Sequence, residues 1–329
     1  MQKKVKRLLI GYGIAAAALA AVTETARQAV TGYFVNVALD REAPSLPLIS
    51  ERKLTGNRID EALLRKIQQA GERLARQTLS PVVIQSRDGI RLAGYWRPAV
   101  RPERILIAMH GWRSSWNHDF GLVADFMYDN HCSVLFAEQR GQGGSGGAYM
   151  GFGLTERYDC LDWVEWVNNR TGGTLPVYLC GVSMGASTVL MAGGLELPSN
   201  VCGIIADCGY TAPTDVWKHV AEQHLHMDYR VCGATVNRLA KKKTQMDMQV
   251  ASCKEALRSC RVPVLFIHGT EDHFVPVEMT YENYKACAGP KRLFVVPGAE
   301  HGMSYLTDPD GYQTALRSFW TEFDKRSSL

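Results

Sequence analysis

The chain has no Cys-x-x-Cys pair, no internal repeat, no low-complexity tract and no unbroken apolar run long enough to cross a membrane. Each absence removes a class of protein. Nine cysteines, at 132, 160, 180, 202, 208, 232, 253, 260 and 287, are an odd number without ligand-pair spacing, and several fall inside apolar runs. They read as small buried hydrophobes in a reducing setting rather than as bridges or zinc ligands. Net charge is also scarce: 37 basic against 33 acidic side chains leave +4. Four of the basic residues, Lys3, Lys4, Lys6 and Arg7, precede the first acidic residue, and the remainder is balanced. A balanced body gives no electrostatic footprint for nucleic acid. The 46% hydrophobic and 21% charged content over 329 residues excludes disorder and allows one large α/β domain with an appendage.

Behind the basic cluster, Leu8 to Thr23 is uncharged. As helix it would measure roughly 24 Å, short of a hydrocarbon core of about 30 Å. Apolar residues resume after Glu24 and Arg27 at Val30, Tyr33, Phe34, Val35, Val37 and Leu39, so a continuous helix with one polar notch would span. Three readings fit residues 1–42: an uncleaved signal anchor, a cleaved signal peptide with a site near Ala18 to Ala20, and an amphipathic surface helix. The anchor is preferred because the apolar pattern continues past any cleavage site. With the basic cluster inside, the main domain would lie outside the cytoplasm, held to the membrane through this helix. Residues 43–80 are expected to be a linker, interrupted by Pro44, Pro47 and Gly56, followed by an amphipathic helix with Ile59, Leu63, Ile67, Ala70 and Leu74 on one stripe.

From residue 81 the texture changes. Val82 to Gln85 and Leu92 to Trp96 flank Arg87-Asp88-Gly89, a hairpin signal. Six further β-rich runs, at Ile105 to Met109, Val134 to Ala137, Val177 to Val182, Val201 to Ala206, Val262 to Ile267 and Leu293 to Val296, do not alternate with polar residues and are separated by helical segments. Such runs predict strands buried on both faces of a mostly parallel, eight-stranded doubly wound sheet, with functional residues at the strands' carboxyl ends. Residues 211–260 are too long for one crossover and are expected to form a small helical cap, with helices at Asp215 to Leu225 and Val231 to Lys243. The lysines at 241–243 are expected to be a solvated helix end.

Polar residues gather where that topology places a site. Gly181-Val182-Ser183-Met184-Gly185 joins a strand to a helical run, the context of a nucleophile elbow, in which a strained turn projects the serine hydroxyl above the sheet. Gly143-Gly144-Ser145-Gly146-Gly147 fits the same pattern but lies in a glycine-rich loop with no helix behind it, so Ser145 is expected to be a decoy. A nucleophilic serine needs a base and an orienting acid, following it in the order serine, acid, histidine. His301, in the loop after the last strand, is the base; Asp272, after Val262 to Ile267, is the preferred acid and Asp207, after Val201 to Ala206, the alternative. The oxyanion donors are expected to be the amides of Met184 and Trp112. His110 is expected to be structural, and His219, His224 and His226 lack the carboxylate or thiolate company of a zinc site.

Taken in order, His110-Gly111, Arg140 to Ser145, Gly181 to Gly185, Asp207, Gly269 to Pro276 and Gly298 to Gly302 resemble the α/β-hydrolase superfamily over residues 81–325. Within it, the chain is most similar to bacterial membrane-anchored serine hydrolases of the esterase and prolyl-oligopeptidase-like branch. The resemblance implies an α/β-hydrolase fold with Ser183, His301 and Asp272 as nucleophile, base and acid, and no metal or organic cofactor. Gln142 stands where many relatives carry histidine, and Trp112 is bulkier than the residue usual at its position, which puts the size of the acyl pocket in question. The expected activity is hydrolysis of a carboxylic ester or related acyl bond of a small-molecule substrate; a peptidase or thioesterase would use the same groups. A non-catalytic binding protein on this fold is the alternative of another class. The sequence leaves oligomeric state and substrate open.

Overall fold

The computed structural model describes residues 24–42 and 61–324. The uncharged segment 8–23, the proline-containing linker and Ile59 of the predicted stripe lie outside the described residues.

Eight strands form one sheet in the order β1-β2-β4-β3-β5-β6-β7-β8. β1 (Ser80–Gln85) and β2 (Arg91–Arg97) form the expected antiparallel hairpin, and β2 continues antiparallel onto β4 (Cys132–Ala137). From β4 onward all neighbours are parallel: β3 (Arg104–Met109), β5 (Val177–Val182), β6 (Val201–Asp207), β7 (Val264–Gly269) and β8 (Lys291–Val296). The central strands β3, β4 and β6 are buried at every position, as their unbroken apolar runs predict. β8 differs from that expectation. It is a sheet edge, and Leu293 is 39% exposed, because only one neighbour and one layer cover it.

Period-two alternation divides each central strand between two cores. Ile105, Ile107 and Met109 of β3 face one core; Leu106 and Ala108 face the other. The first core is closed by helices 24–39 (α1), Glu156–Thr171 (α5) and Met184–Ala192 (α6), together with the cap. The second is closed by α2 (Glu61–Ala75), α3 (Trp116–Phe120), α4 (Ala124–Asp129) and α12 (Pro309–Phe323). On α2 the predicted stripe is buried at Ile67, Ala70 and Leu74, whereas Leu63, a turn earlier, stays exposed.

The cap comprises α7 (Pro213–His219), a single π-helical turn at Val220–His224, α8 (Tyr229–Thr244) and α9 (Cys253–Ser259). The helix expected at Asp215 to Leu225 therefore exists but changes winding midway. The lysine run closes α8 as expected, and Lys243 is tied to Asp40 at 2.6 Å. The remaining helices are α10 (Val277–Ala286) and α11 (Ser304–Thr307).

The N-terminal expectation needs correction. Among the described residues no helix is long and apolar enough to cross a membrane. Residues 24–39 do form a helix, but Val35 and Leu39 are buried in the first core rather than presented outward. Their apolar character serves docking on the α/β domain, so the spanning helix that was expected to run on to residue 42 does not include them. Arg27 donates to the Val231 carbonyl at 2.7 Å, and Arg113 donates to the carbonyls of Val37 and Asp40 beyond the last turn. A guanidinium at the helix C-terminus satisfies carbonyls that have no intrahelical partner and complements the dipole.

Candidate active site

The chain reverses its direction of sheet growth at β3, which pairs with β4 on one side and β5 on the other. Ligand crevices of open α/β sheets lie at the carboxyl ends beside such a switch. β5 delivers Ser183 there. This residue has φ 55° and ψ −115°, a backbone conformation that ordinary side chains rarely adopt and that costs on the order of 1–3 kcal/mol. The turn is held from both sides. A Cβ on Gly181 would lie 2.2 Å from the Gly185 carbonyl, and one on Gly185 would lie 1.9 Å from the Met109 carbonyl oxygen. Both positions abut backbone that cannot move aside, so only glycine lets helix α6 start directly beneath the serine.

His301 reaches Ser183 from the loop after β8, its Nε2 2.9 Å from Oγ, while its Nδ1 stands 2.6 Å from Asp272 Oδ2. Asp272 follows β7. Its Oδ1 accepts from the amides of Phe274 at 3.0 Å and Val275 at 2.8 Å, fixing the carboxylate plane. A carboxylate accepts only, so Nδ1 of His301 carries the proton and Nε2 is left to accept from the serine hydroxyl. Burial alone would raise the pKa of Asp272, but His301 and His268 outweigh it and hold the carboxyl well below the usual range. For His301, burial disfavours the cation, yet the adjacent Asp272 carboxylate reverses the sign and moves the pKa upward.

That direction fixes a pH dependence. Only neutral His301 can accept the serine proton, so activity should rise as pH climbs through a His301 pKa above 6.5. A pH profile of kcat/KM should show its acid limb above pH 6.5, and a limb below 6 would contradict the pairing.

Sequence reading missed a second histidine on the acid. His268, fully buried in β7, places Nε2 3.0 Å from Asp272 Oδ2 and 2.8 Å from the Val275 carbonyl, with Nδ1 2.7 Å from Thr280 Oγ1. Two acceptors at Nε2 require the proton there, so Nδ1 accepts from the threonine. The signal was present in the His268-Gly269 ending of the strand, but it ranked below the flanking acid.

The alternative acid stands beside the site, but its carboxylate is bonded elsewhere. Asp207 is buried and accepts from Ser304 Oγ at 3.0 Å, and burial raises its pKa. Its strand end points the carboxylate into the packing of α11, so the base is left to Asp272. Ser145 is likewise not brought to a base. Its hydroxyl donates to the Glu138 carbonyl and accepts from the Ala93 amide at 2.8 Å, which makes it a tie between loop and hairpin.

The predicted oxyanion donors flank Ser183. Met184 opens α6, where first-turn amides have no intrahelical acceptor. Trp112 follows Gly111, whose position for a Cβ lies 3.4 Å from Ser183 Cβ. The loop is pinned from below: half-buried Asp119 accepts the Gly111 amide at 2.7 Å and also bonds His118 and Ser114. Burial would raise the Asp119 pKa, but these partners pull it down. His110 is structural, as expected. Its Nε2 accepts from the Gln139 amide at 3.1 Å, so Nδ1 donates to the Gly111 carbonyl at 2.8 Å, and burial lowers its pKa.

Among the described residues, Cys208, Asp272 and His301 hold potential metal-ligand atoms within 4.8 Å of one another. Both nitrogens of His301 and both oxygens of Asp272 are already engaged by protein groups, so a cation there would break the Ser183–His301–Asp272 chain. The Cys208 thiol is pushed up to about 11, chiefly by burial, and so stays protonated at neutral pH. In the cap, His219 and His224 both direct Nε2 at the His273 carbonyl, at 2.9 and 3.0 Å. All nine cysteines are buried, and none forms a disulfide.

Above Ser183 opens a cleft of about 900 Å³ counting its mouth, lined by α1, the cap and Trp112. Among the described residues, no Asp, Glu, Lys, Arg or His lines it.

Comparison with known proteins agrees with this architecture. Residues 100–246 match the family model described as serine aminopeptidase, S33. The protein YqkD of Bacillus subtilis is 28% identical over 242 residues, covering 72% of this chain and 77% of its own. Rv2307c of Mycobacterium tuberculosis is 25% identical over 246 residues, 73% of this chain and 79% of its own. Among solved structures, an esterase of Pyrococcus furiosus superposes with TM-score 0.64 at 20% identity, covering 77% of this chain and 94% of that one. An esterase of Exiguobacterium antarcticum gives 0.54 at 18% identity, covering 73% and 99%. At such identities the structural likeness speaks to the fold. Together with the sheet order, it shows that the chain has an α/β-hydrolase fold.

Proposed function

We propose that the protein is a serine hydrolase that cleaves a carboxylic ester or related acyl bond through an acyl-Ser183 intermediate. The observation that carries this reading is the hydrogen-bonded chain from Ser183 through His301 to Asp272 at the head of an uncharged cleft. Ser183 Oγ attacks the acyl carbon while His301 Nε2 takes its proton. The resulting oxyanion is received by the amides of Met184 and Trp112, each such donor being worth about a hundred- to a thousandfold in turnover. His301 then passes the proton to the leaving group, and water, deprotonated by the same imidazole, releases the acid. Asp272 keeps the imidazole in the tautomer that both steps need.

The family description raises an exopeptidase as the second reading. An aminopeptidase must hold an α-ammonium beside the scissile bond, and a buried cation needs a counter-charge. The described residues that line the cleft supply none, which favours an uncharged acyl group. A fluorophosphonate probe should label the wild type and leave Ser183→Ala unlabelled, and p-nitrophenyl acyl esters should be turned over faster than aminoacyl p-nitroanilides. Absence of labelling in the wild type, persistence in Ser183→Ala, or preference for the anilides would refute the proposal.

A further inference from the structure

The N-terminal helix does more than dock. Thr31, Phe34, Val35 and Ala38, at i, i+3, i+4 and i+7, form one face of α1, and all four line the cleft above Ser183. The ends of this face are fixed in depth by other contacts. At the catalytic end, Trp112 of the oxyanion loop donates its indole N–H to the Ala38 carbonyl at 2.8 Å. At the far end, Arg27 reaches the Val231 carbonyl of the cap, one residue before Cys232, which also lines the cleft. Helix α8 and the Trp217 region of α7 supply the opposite wall.

We infer that α1 is a wall of the substrate site, and that the cleft between it and the cap takes an extended, unbranched hydrocarbon chain of about eight to ten carbons, the acyl part of the substrate. Thr31 to Ala38 spans seven helical steps, about 10 Å. An extended backbone advances about 3.6 Å over three bonds, about 1.2 Å per bond, so an all-trans chain of the same reach has roughly eight or nine bonds. A chain this long gains about 0.8 kcal/mol per buried methylene in an apolar cleft, so each added carbon should raise kcat/KM by a few-fold until the cleft is filled. The inference rests on Ser183 being the residue acylated, because that is what sets the near end of the chain.

The test is the rate profile for p-nitrophenyl esters from acetate to palmitate, measured on the full chain. For the wild type, kcat/KM should rise from acetate to a maximum near octanoate or decanoate and then fall. Ala38→Phe blocks the near end and should lower the decanoate-to-acetate ratio at least tenfold; Thr31→Met shortens the far end and should move the maximum to shorter chains with less effect on butyrate. Val30→Ala, on the exposed side of the same helix, should leave the profile as it is. A flat or acetate-preferring wild type overturns the inference, as does a loss in Ala38→Phe that is equal at every length. If Ala38→Phe loses its melting transition, Thr31→Met decides alone. Fluorophosphonate labelling run beside the profile separates the two proposals: a labelled wild type with a flat profile defeats only the chain-length inference, whereas an unlabelled wild type defeats the hydrolase reading.

Discussion

Ser183→Ala is expected to lower kcat by about a millionfold, the scale seen when the nucleophile of a serine triad is removed. In the proposed mechanism the hydroxyl forms the covalent bond, and its hydrogen bond among the described residues is the 2.9 Å contact with His301. Alanine keeps a Cβ, so the strained φ of 55° is neither relieved nor worsened, and the melting temperature should change little. His301→Ala should cost about as much, and the double variant scarcely more, because the two residues act as one unit. Additive losses would mean that the serine and the imidazole work independently, contrary to the hydrogen bond between them.

Asp272→Asn is expected to lower kcat by about ten-thousandfold. The amide oxygen can retain the Phe274 and Val275 amides, which puts the NH2 group where Oδ2 now receives both His301 Nδ1 and His268 Nε2. A donor then faces two donors. To escape, His301 must move its proton to Nε2, where it points at the serine and cannot accept from it. Because His268 suffers the same conflict inside a fully buried strand, this variant should also lose stability, by about 1–3 kcal/mol for a buried group left unmatched. Measured kcat and melting temperature should therefore fall together. A mild kinetic effect here, with a severe one in Asp207→Asn, would move the acid to Asp207 despite its bond to Ser304.

The parts of this site that were legible in the sequence are those with a strand directly before them. Ser183 and Asp272 follow unbroken apolar runs, and a run buried on both faces leaves little freedom in where its last residue points. His301 was legible because its loop could only lie at the same edge. His268 and Asp119 were not, since each acts by bonding to another polar group across the fold, Asp272 in one case and the Gly111 amide in the other. No local pattern encodes such a pairing.

The part of the N-terminal helix that docks on the domain was unread for a different cause. Val30 to Leu39 is apolar enough to suit a bilayer or a protein groove, and composition does not separate the two. The i, i+3, i+4, i+7 face and the Glu24–Arg27 pair are the marks of a one-sided helix, but the face has meaning only once the cap supplies the opposite wall. The π-helical turn at Val220–His224 was invisible for a related reason: His219 just before it and His224 at its end converge on the His273 carbonyl from another loop.

The central claim is that Ser183 carries the acyl group during turnover. Mixing the enzyme with p-nitrophenyl decanoate, quenching in acid within the first turnovers and measuring the mass of the digested protein tests it directly. The account predicts a burst of nitrophenolate matched by a decanoyl adduct on the peptide that contains Ser183, absent from Ser183→Ala. Turnover without any adduct on that peptide, or an adduct on another residue, would contradict it.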